Sequence, residues 1–95
     1  MDRPLEKNIE KWTCDRAAFL GCVCLKLNVR GRVGWPDRLF LFRGKVLFIE
    51  FKRLGENPTL IQQYVHAEIR AHGVPVEVVD NVGDAGRILD EFTSN

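Results

Sequence analysis

Nothing in this 95-residue sequence approaches the roughly 18 consecutive apolar residues that a membrane span requires. Its opening, MDRPLEKNIEKW, is charged throughout and lacks the apolar stretch of a secretory signal. The protein is therefore expected to stay in the cytoplasm of the cell that makes it, without a membrane partner. Cysteine is scarce: Cys14, Cys22 and Cys24 are an odd count with no repeated spacing, which excludes a disulfide framework. One Cys-x-Cys pair without a second pair or a nearby histidine is a poor zinc site. Cys22 and Cys24 fall on one face of a strand and read as small core residues. There is no internal repeat, linker or low-complexity tract. What remains, at 45% hydrophobic residues, suffices for one compact domain over residues 1–95 with a single core. A chain this short would gain from pairing with a copy of itself.

Net charge is also small, at +1, but its distribution is uneven. Residues 1–25 balance to zero. Residues 26–53 hold eight basic and two acidic groups, a balance of +6, and residues 54–95 hold two basic and seven acidic, a balance of −5. A local excess of this kind suits a polyanionic partner. It also suits a solvated strand face whose Lys and Arg guard a sheet edge.

Leu5, Ile9, Trp12 and Leu20 recur at helical spacing, and Pro4 suits a first turn, so residues 4–20 read as a helix ended by Gly21. Residues 22–29 read as a strand, and Arg30-Gly31-Arg32-Val33-Gly34 as a glycine-hinged basic loop. A hairpin follows over 37–42 and 45–52, turning at Arg43-Gly44. Thr59 is a candidate cap for a second amphipathic helix carrying Leu60, Ile61, Tyr64, Val65 and Ile69 and stopped by Gly73. Residues 74–79 form a short strand and residues 84–92 a third helix. Both faces of the hairpin are apolar, with Leu39, Leu41, Val46 and Phe48 on one and Phe40, Phe42, Leu47, Ile49 and Phe51 on the other. Such strands sit inside a covered sheet, so an α/β sandwich in the order α-β-β-β-α-β-α is expected, with helices on both faces.

If Arg43-Gly44 is a two-residue turn, Leu41 pairs with Val46, Leu39 with Phe48 and Asp37 with Glu50. Opposed residues share a face with Cβ atoms about 5 Å apart, and Lys52 lies on that face too. Two facing carboxylates repel unless something compensates them. A divalent cation does so, and oxygen donors suit Mg²⁺ or Mn²⁺. Such an ion can hold a phosphate oxygen and acidify a water nucleophile, with Lys52 near enough to orient that water. The alternative is a salt-bridged strand end in which Lys52 compensates one carboxylate.

Pro36-Asp37, a hairpin and then Glu50-Phe51-Lys52 resemble the PD-(D/E)xK nuclease signature. The wider pattern is similar to its VRR-NUC branch, the virus-type replication-repair nuclease domain, in the small stand-alone form common in phages. The matching segments are Glu6-Lys7-Asn8-Ile9-Glu10, Gly34-Trp35-Pro36-Asp37-Arg38, Phe48-Ile49-Glu50-Phe51-Lys52, Gln62, Gly73 and the strand 76–79. They run in order over nearly the whole chain.

The resemblance implies a restriction-endonuclease-like sandwich with a mixed central sheet. It implies that Asp37 and Glu50 bind Mg²⁺ or Mn²⁺ with the backbone carbonyl of Phe51, and that Lys52 positions the attacking water. A first-helix glutamate extends the acidic site: Glu10, or Glu6 one turn away. Gln62 matches the family's helix glutamine, with Gln63 its alternative. Trp35 departs from the small residue usual before Pro-Asp and reads as either a DNA-facing aromatic or a core anchor, with the core reading preferred. Arg30 and Arg32, with Arg53, are expected to hold DNA phosphates. His66 and His72 read as helix-surface bystanders. Stand-alone members resemble Holliday-junction resolvases, which implies a homodimer cutting four-way DNA in repair or recombination, within the host cytoplasm if phage-encoded. The rival expectation is a non-catalytic DNA-binding or scaffold module that keeps the basic surface.

Overall fold

The computed structural model describes residues 5–94. Along the chain these form α1 (Glu6–Phe19), β1 (Val23–Lys26), β2 (Arg38–Phe42), β3 (Lys45–Phe51), α2 (Leu60–Ala71), β4 (Val76–Val79) and α3 (Val82–Thr93). The expected element order is the observed one. Boundaries shift: β1 stops at Lys26, and α3 begins at Val82, where the Asn81 side chain accepts from Asp84 N–H at 2.8 Å and caps the first turn. Pro4, expected in the first turn of α1, lies outside the described residues.

The sheet runs β1-β2-β3-β4, antiparallel through its first three strands and parallel between β3 and β4. The hairpin turns at Arg43 and Gly44, both at positive φ (48° and 82°), which is the two-residue turn that follows strand twist. It fixes the pairs Leu41↔Val46, Leu39↔Phe48 and Arg38↔Ile49. Because side chains alternate, the hairpin serves two cores. Phe40, Leu47, Ile49 and Phe51 pack with Ile9 and Ala17 of α1 and Ile88 and Leu89 of α3. On the other face Phe48 packs with Val65 and Ile69 of α2, joined by Trp35 and Leu39. Cys22 and Cys24 both pack against the α1/α3 core, and Cys24 Sγ lies 2.6 Å from Cys14 Sγ.

The connections at one end of this sheet build the site. β1 and β3 finish there, β2 begins there, and β4, parallel to β3, finishes there too. Segments 27–37 and 52–59 and the starts of α2 and α3 therefore converge. Gly34 holds segment 27–37 against α2. Its φ is +87°, and an added Cβ would meet Ile61 Cγ2 at 2.7 Å and the Ile61 carbonyl at 3.0 Å. Gly34→Ala should cost on the order of 1–3 kcal/mol from backbone strain and this contact. Urea denaturation measures the loss; unchanged stability would show that the loop does not seat on α2 as described.

Candidate active site

One step beyond Arg38↔Ile49, the register brings Asp37 across from Glu50. Asp37 immediately precedes β2, and its backbone is pinned by Leu27 N–H donating to its carbonyl at 3.0 Å. Its Oδ2 accepts from Phe51 N–H at 2.8 Å, so the side chain crosses to β3 beside Glu50. Burial pushes the Asp37 carboxyl above its ordinary range, against the Phe51 hydrogen bond, and the charge of Glu10 adds to the rise.

Glu50, the next-to-last residue of β3, is 3% exposed on the α2-facing side of the sheet. Its Oε2 accepts from Gln62 Nε2 at 3.1 Å and lies 3.6 Å from Lys52 Nζ. Its Oε1 is buried with no hydrogen-bond partner among the described residues. Burial first, then the charge of Asp37, raises Glu50 to about 7, with Lys52 opposing. The layer thus holds two carboxylates that resist ionising together and one buried oxygen with its bonding unfilled. Those features fit an oxygen-coordinated divalent cation.

Gln62 is held in place by the helix start. Its backbone N–H donates to Thr59 Oγ1 at 3.2 Å and its Oε1 accepts from Thr59 N–H at 2.9 Å, closing a capping box. That leaves the Nε2 of Gln62 for Glu50. Gln63 instead bonds the Pro58 carbonyl at 3.0 Å, so Gln62 is the glutamine at the site. The Phe51 carbonyl is oriented indirectly. Lys52 N–H, in the same trans peptide, donates to Val79 O at 2.8 Å. The opposed carbonyl therefore points away from β4, toward the Asp37 side.

Other expected residues lie elsewhere or are already engaged. Glu10 reaches across the α1 face, where its Oε2 accepts from Arg38 Nε at 2.6 Å and Lys26 Nζ at 3.4 Å. Arg38 faces α1 while Asp37 and Glu50 face α2, because adjacent strand residues point oppositely. No group of three or more His, Cys, Asp or Glu side chains gathers for a metal among the described residues. Glu6 is exposed, and its charge contributes to the rise at Glu50. Arg32 bonds Glu68 at 3.1 Å and covers the Trp35 ring at 5.3 Å. Arg30 and Arg53 are exposed at the site end. Trp35 packs in the α2-side core, edge-on to Phe48 at 6.0 Å, as the core reading anticipates.

One expectation needs correcting. His66 is not on the helix surface but 1% exposed, because the face it shares with Gln62 and Ile69 lies on the sheet. The signal was present: His66 falls at i+4 from Gln62 and i−3 from Ile69, within the apolar stripe. His72, at the C-terminal cap of α2, is exposed as expected.

No family profile matches the sequence. A curated protein of Acyrthosiphon pisum secondary endosymbiont phage 1, described as "Putative nuclease p44", is 40% identical over 77 residues, 80% of this chain and 83% of its own length. A solved structure described as a VRR_NUC domain matches with a TM-score of 0.85 and 30% identity, over 92% of this chain and 96% of that one. The chain belongs to the VRR-NUC nuclease family. In this VRR-NUC domain the mixed four-stranded sheet flanked by helices is the family's fold. No helix among the described residues is long and apolar enough to cross a membrane.

Proposed function

We propose that this VRR-NUC domain is a divalent-metal-dependent DNA endonuclease acting on branched DNA. The observation that carries this reading is the facing pair of half-buried Asp37 and buried Glu50, both raised in pKa, with Lys52 3.6 Å from Glu50. Asp37, Glu50 and the Phe51 carbonyl would hold Mg²⁺ or Mn²⁺, with Glu10, or Glu6, extending the acidic site. Such an ion, when bound, supplies Lewis acidity to the phosphate and lowers the pKa of a water. The chain's own residues do the rest. Gln62 keeps Glu50 aimed by fixing one of its two oxygens. Lys52 orients the attacking water and offsets charge gathering on the phosphate.

Of the basic groups in 26–53, Lys26 and Arg38 are taken by Glu10 and Arg32 by Glu68, while Arg43 and Lys45 sit at the far end of the hairpin. Arg30 and Arg53 are the exposed cations best placed for phosphates, with Arg32 able to join by releasing Glu68. One compact domain offers one site, so paired cuts across a two-fold symmetric junction require two copies. A phage-encoded relative fits a site of action in the host cytoplasm, in replication, recombination or repair.

A cleavage assay comparing four-way junction, flap, single-stranded and linear DNA with Mg²⁺, Mn²⁺ or EDTA tests the proposal. The expected result is paired nicks near the branch point with either ion and none in EDTA. Junction binding without cleavage under any metal would establish the rival, a binding or scaffold module. Binding should weaken steeply with salt. The double variant Arg30→Ala/Arg53→Ala should flatten the slope of log K against log salt by about 2, near 0.9 per lost phosphate contact. An unchanged slope would remove both residues from the interface.

A further inference from the structure

The turn from α1 into β1 brings two thiols together. Gly21, at φ +92°, ends α1, and Cys22 N–H donates back to Ala17 O at 2.8 Å, so β1 returns alongside the helix. Cys14 lies seven residues before Gly21 and Cys24 three after it. At about 1.5 Å per helical residue and 3.3 Å per strand residue, each lies about 10 Å from the turn. The two positions therefore stand level. Cys24 also points at the helix, since it shares a strand face with Cys22 and both pack against the α1/α3 core. The result is a contact of 2.6 Å between the Sγ atoms of two free thiols, Cys14 and Cys24. Both are half-buried rather than sealed, so a small oxidant can reach them, while Cys22 is 8% exposed. With Cys14 donating, that hydrogen bond holds Cys24 below the ordinary thiol range, helped by the Arg38 guanidinium and opposed by burial and Glu10. The same bond pushes Cys14 up. The pair is thus divided into a nucleophile and a resolving thiol.

We propose that Cys14 and Cys24 are an oxidisable pair, which a peroxide closes to a reversible disulfide that staples α1 to β1. The Cys24 thiolate attacks one peroxide oxygen and the O–O bond breaks, giving a sulfenic acid. The other oxygen leaves as hydroxide and takes a proton to become water. Cys14 sulfur then gives up its proton and attacks the sulfenic sulfur, and the S–O bond breaks to release a second water. Two thiols lose two electrons and two protons, and the peroxide is reduced to two waters. In a reducing cytoplasm the pair rests as the dithiol, and thiol exchange restores it after oxidation. The bridge anchors the part of α1 that carries Glu10, one turn before Cys14, while Asp37 and Glu50 lie on the other side of the sheet. The inference therefore stands apart from the nuclease reading.

Treating the reduced protein with hydrogen peroxide tests this. The intact mass should fall by two hydrogens, one titratable thiol should remain of three, and dithiothreitol should reverse both changes. Trypsin cuts after Lys11, Arg16 and Lys26, so the bridge should appear as residues 12–16 joined to residues 17–26. Cys22→Ala should keep that product and Cys24→Ala should lose it. The oxidised parent should melt roughly 10 °C above the reduced one, because the bridge restricts the unfolded chain, and Cys14→Ser should show no such rise. The mass and thiol measurements use the parent alone, so they decide the matter even where a variant does not fold. An unchanged mass, a gain of oxygen without the loss of two hydrogens, or a covalent dimer would overturn the proposal. So would a bridge that survives Cys24→Ala, or an oxidised parent that melts with the reduced one.

Discussion

Glu50→Gln should give a protein that is more stable without metal at pH 8 than its parent, and unable to cut DNA. Glu50 is raised from its ordinary 4.5 to about 7, first by burial and then by the charge of Asp37. A carboxyl whose folded pKa lies above its unfolded one contributes stability that is fully present below the unfolded value. That stability is lost as pH rises toward and through the folded value. The window here is pH 4.5 to about 7, and the shift corresponds to about 3 kcal/mol at its upper end. Glutamine keeps an oxygen for Gln62 Nε2 and never ionises. His66 works in the opposite sense, because its lowered pKa costs stability as pH falls below 6.5. The difference between parent and variant therefore isolates Glu50. Urea denaturation in EDTA at pH 5 and pH 8 should show the variant gaining about 3 kcal/mol on its parent between the two. Adding Mg²⁺ or Mn²⁺ at pH 8 should stabilise the parent and leave the variant unmoved. A constant difference across pH would mean that the buried carboxylate is compensated by contacts other than a metal.

Asp37→Asn should lower the cleavage rate by at least about 10²- to 10³-fold, some 3–4 kcal/mol of lost transition-state stabilisation, while leaving the fold intact. The reason for separating the two effects lies in the Phe51 bond. Asp37 Oδ2 accepts from Phe51 N–H at 2.8 Å, and an asparagine oxygen can do the same. Only the negative charge is removed. Asp37→Ala would instead leave the Phe51 donor without its acceptor, mixing a structural loss of about 1–3 kcal/mol into the measurement. Single-turnover cleavage at saturating metal, alongside a melting curve, distinguishes them. Near-parental cleavage by a folded Asp37→Asn would remove Asp37 from the chemistry.

Much of the site is local in origin and therefore readable along the chain. A two-residue turn at Arg43-Gly44 sets the register, and the two-residue period of a strand then places Asp37, Glu50 and Lys52 on one side. Thr59 and Gln62 announce the start of α2, and the same capping box leaves Gln62 an amide for Glu50. The early end of β1 was less legible, because β propensity extends through Val29 while its pairing with β2 ends at Lys26↔Arg38.

Other features depend on partners far away in sequence. Glu10 looks available on its own helix, but Arg38, 28 positions on, takes its carboxylate at 2.6 Å. Arg32 belongs to a basic loop, but Glu68, 36 positions on, holds it at 3.1 Å. The +6 balance of residues 26–53 thus overstates the charge left for a polyanion. His66 is polar in composition and buried in fact, since α2 rests this face on the sheet. Period and turn chemistry, by themselves, determined the element order, the hairpin register and the facing carboxylates, because each follows from neighbours a few residues apart. Only the tertiary structure decided which charges are neutralised, how far Glu50 and His66 are buried, and which buried atoms lack partners. Those properties arise when distant segments exclude water from the same small volume.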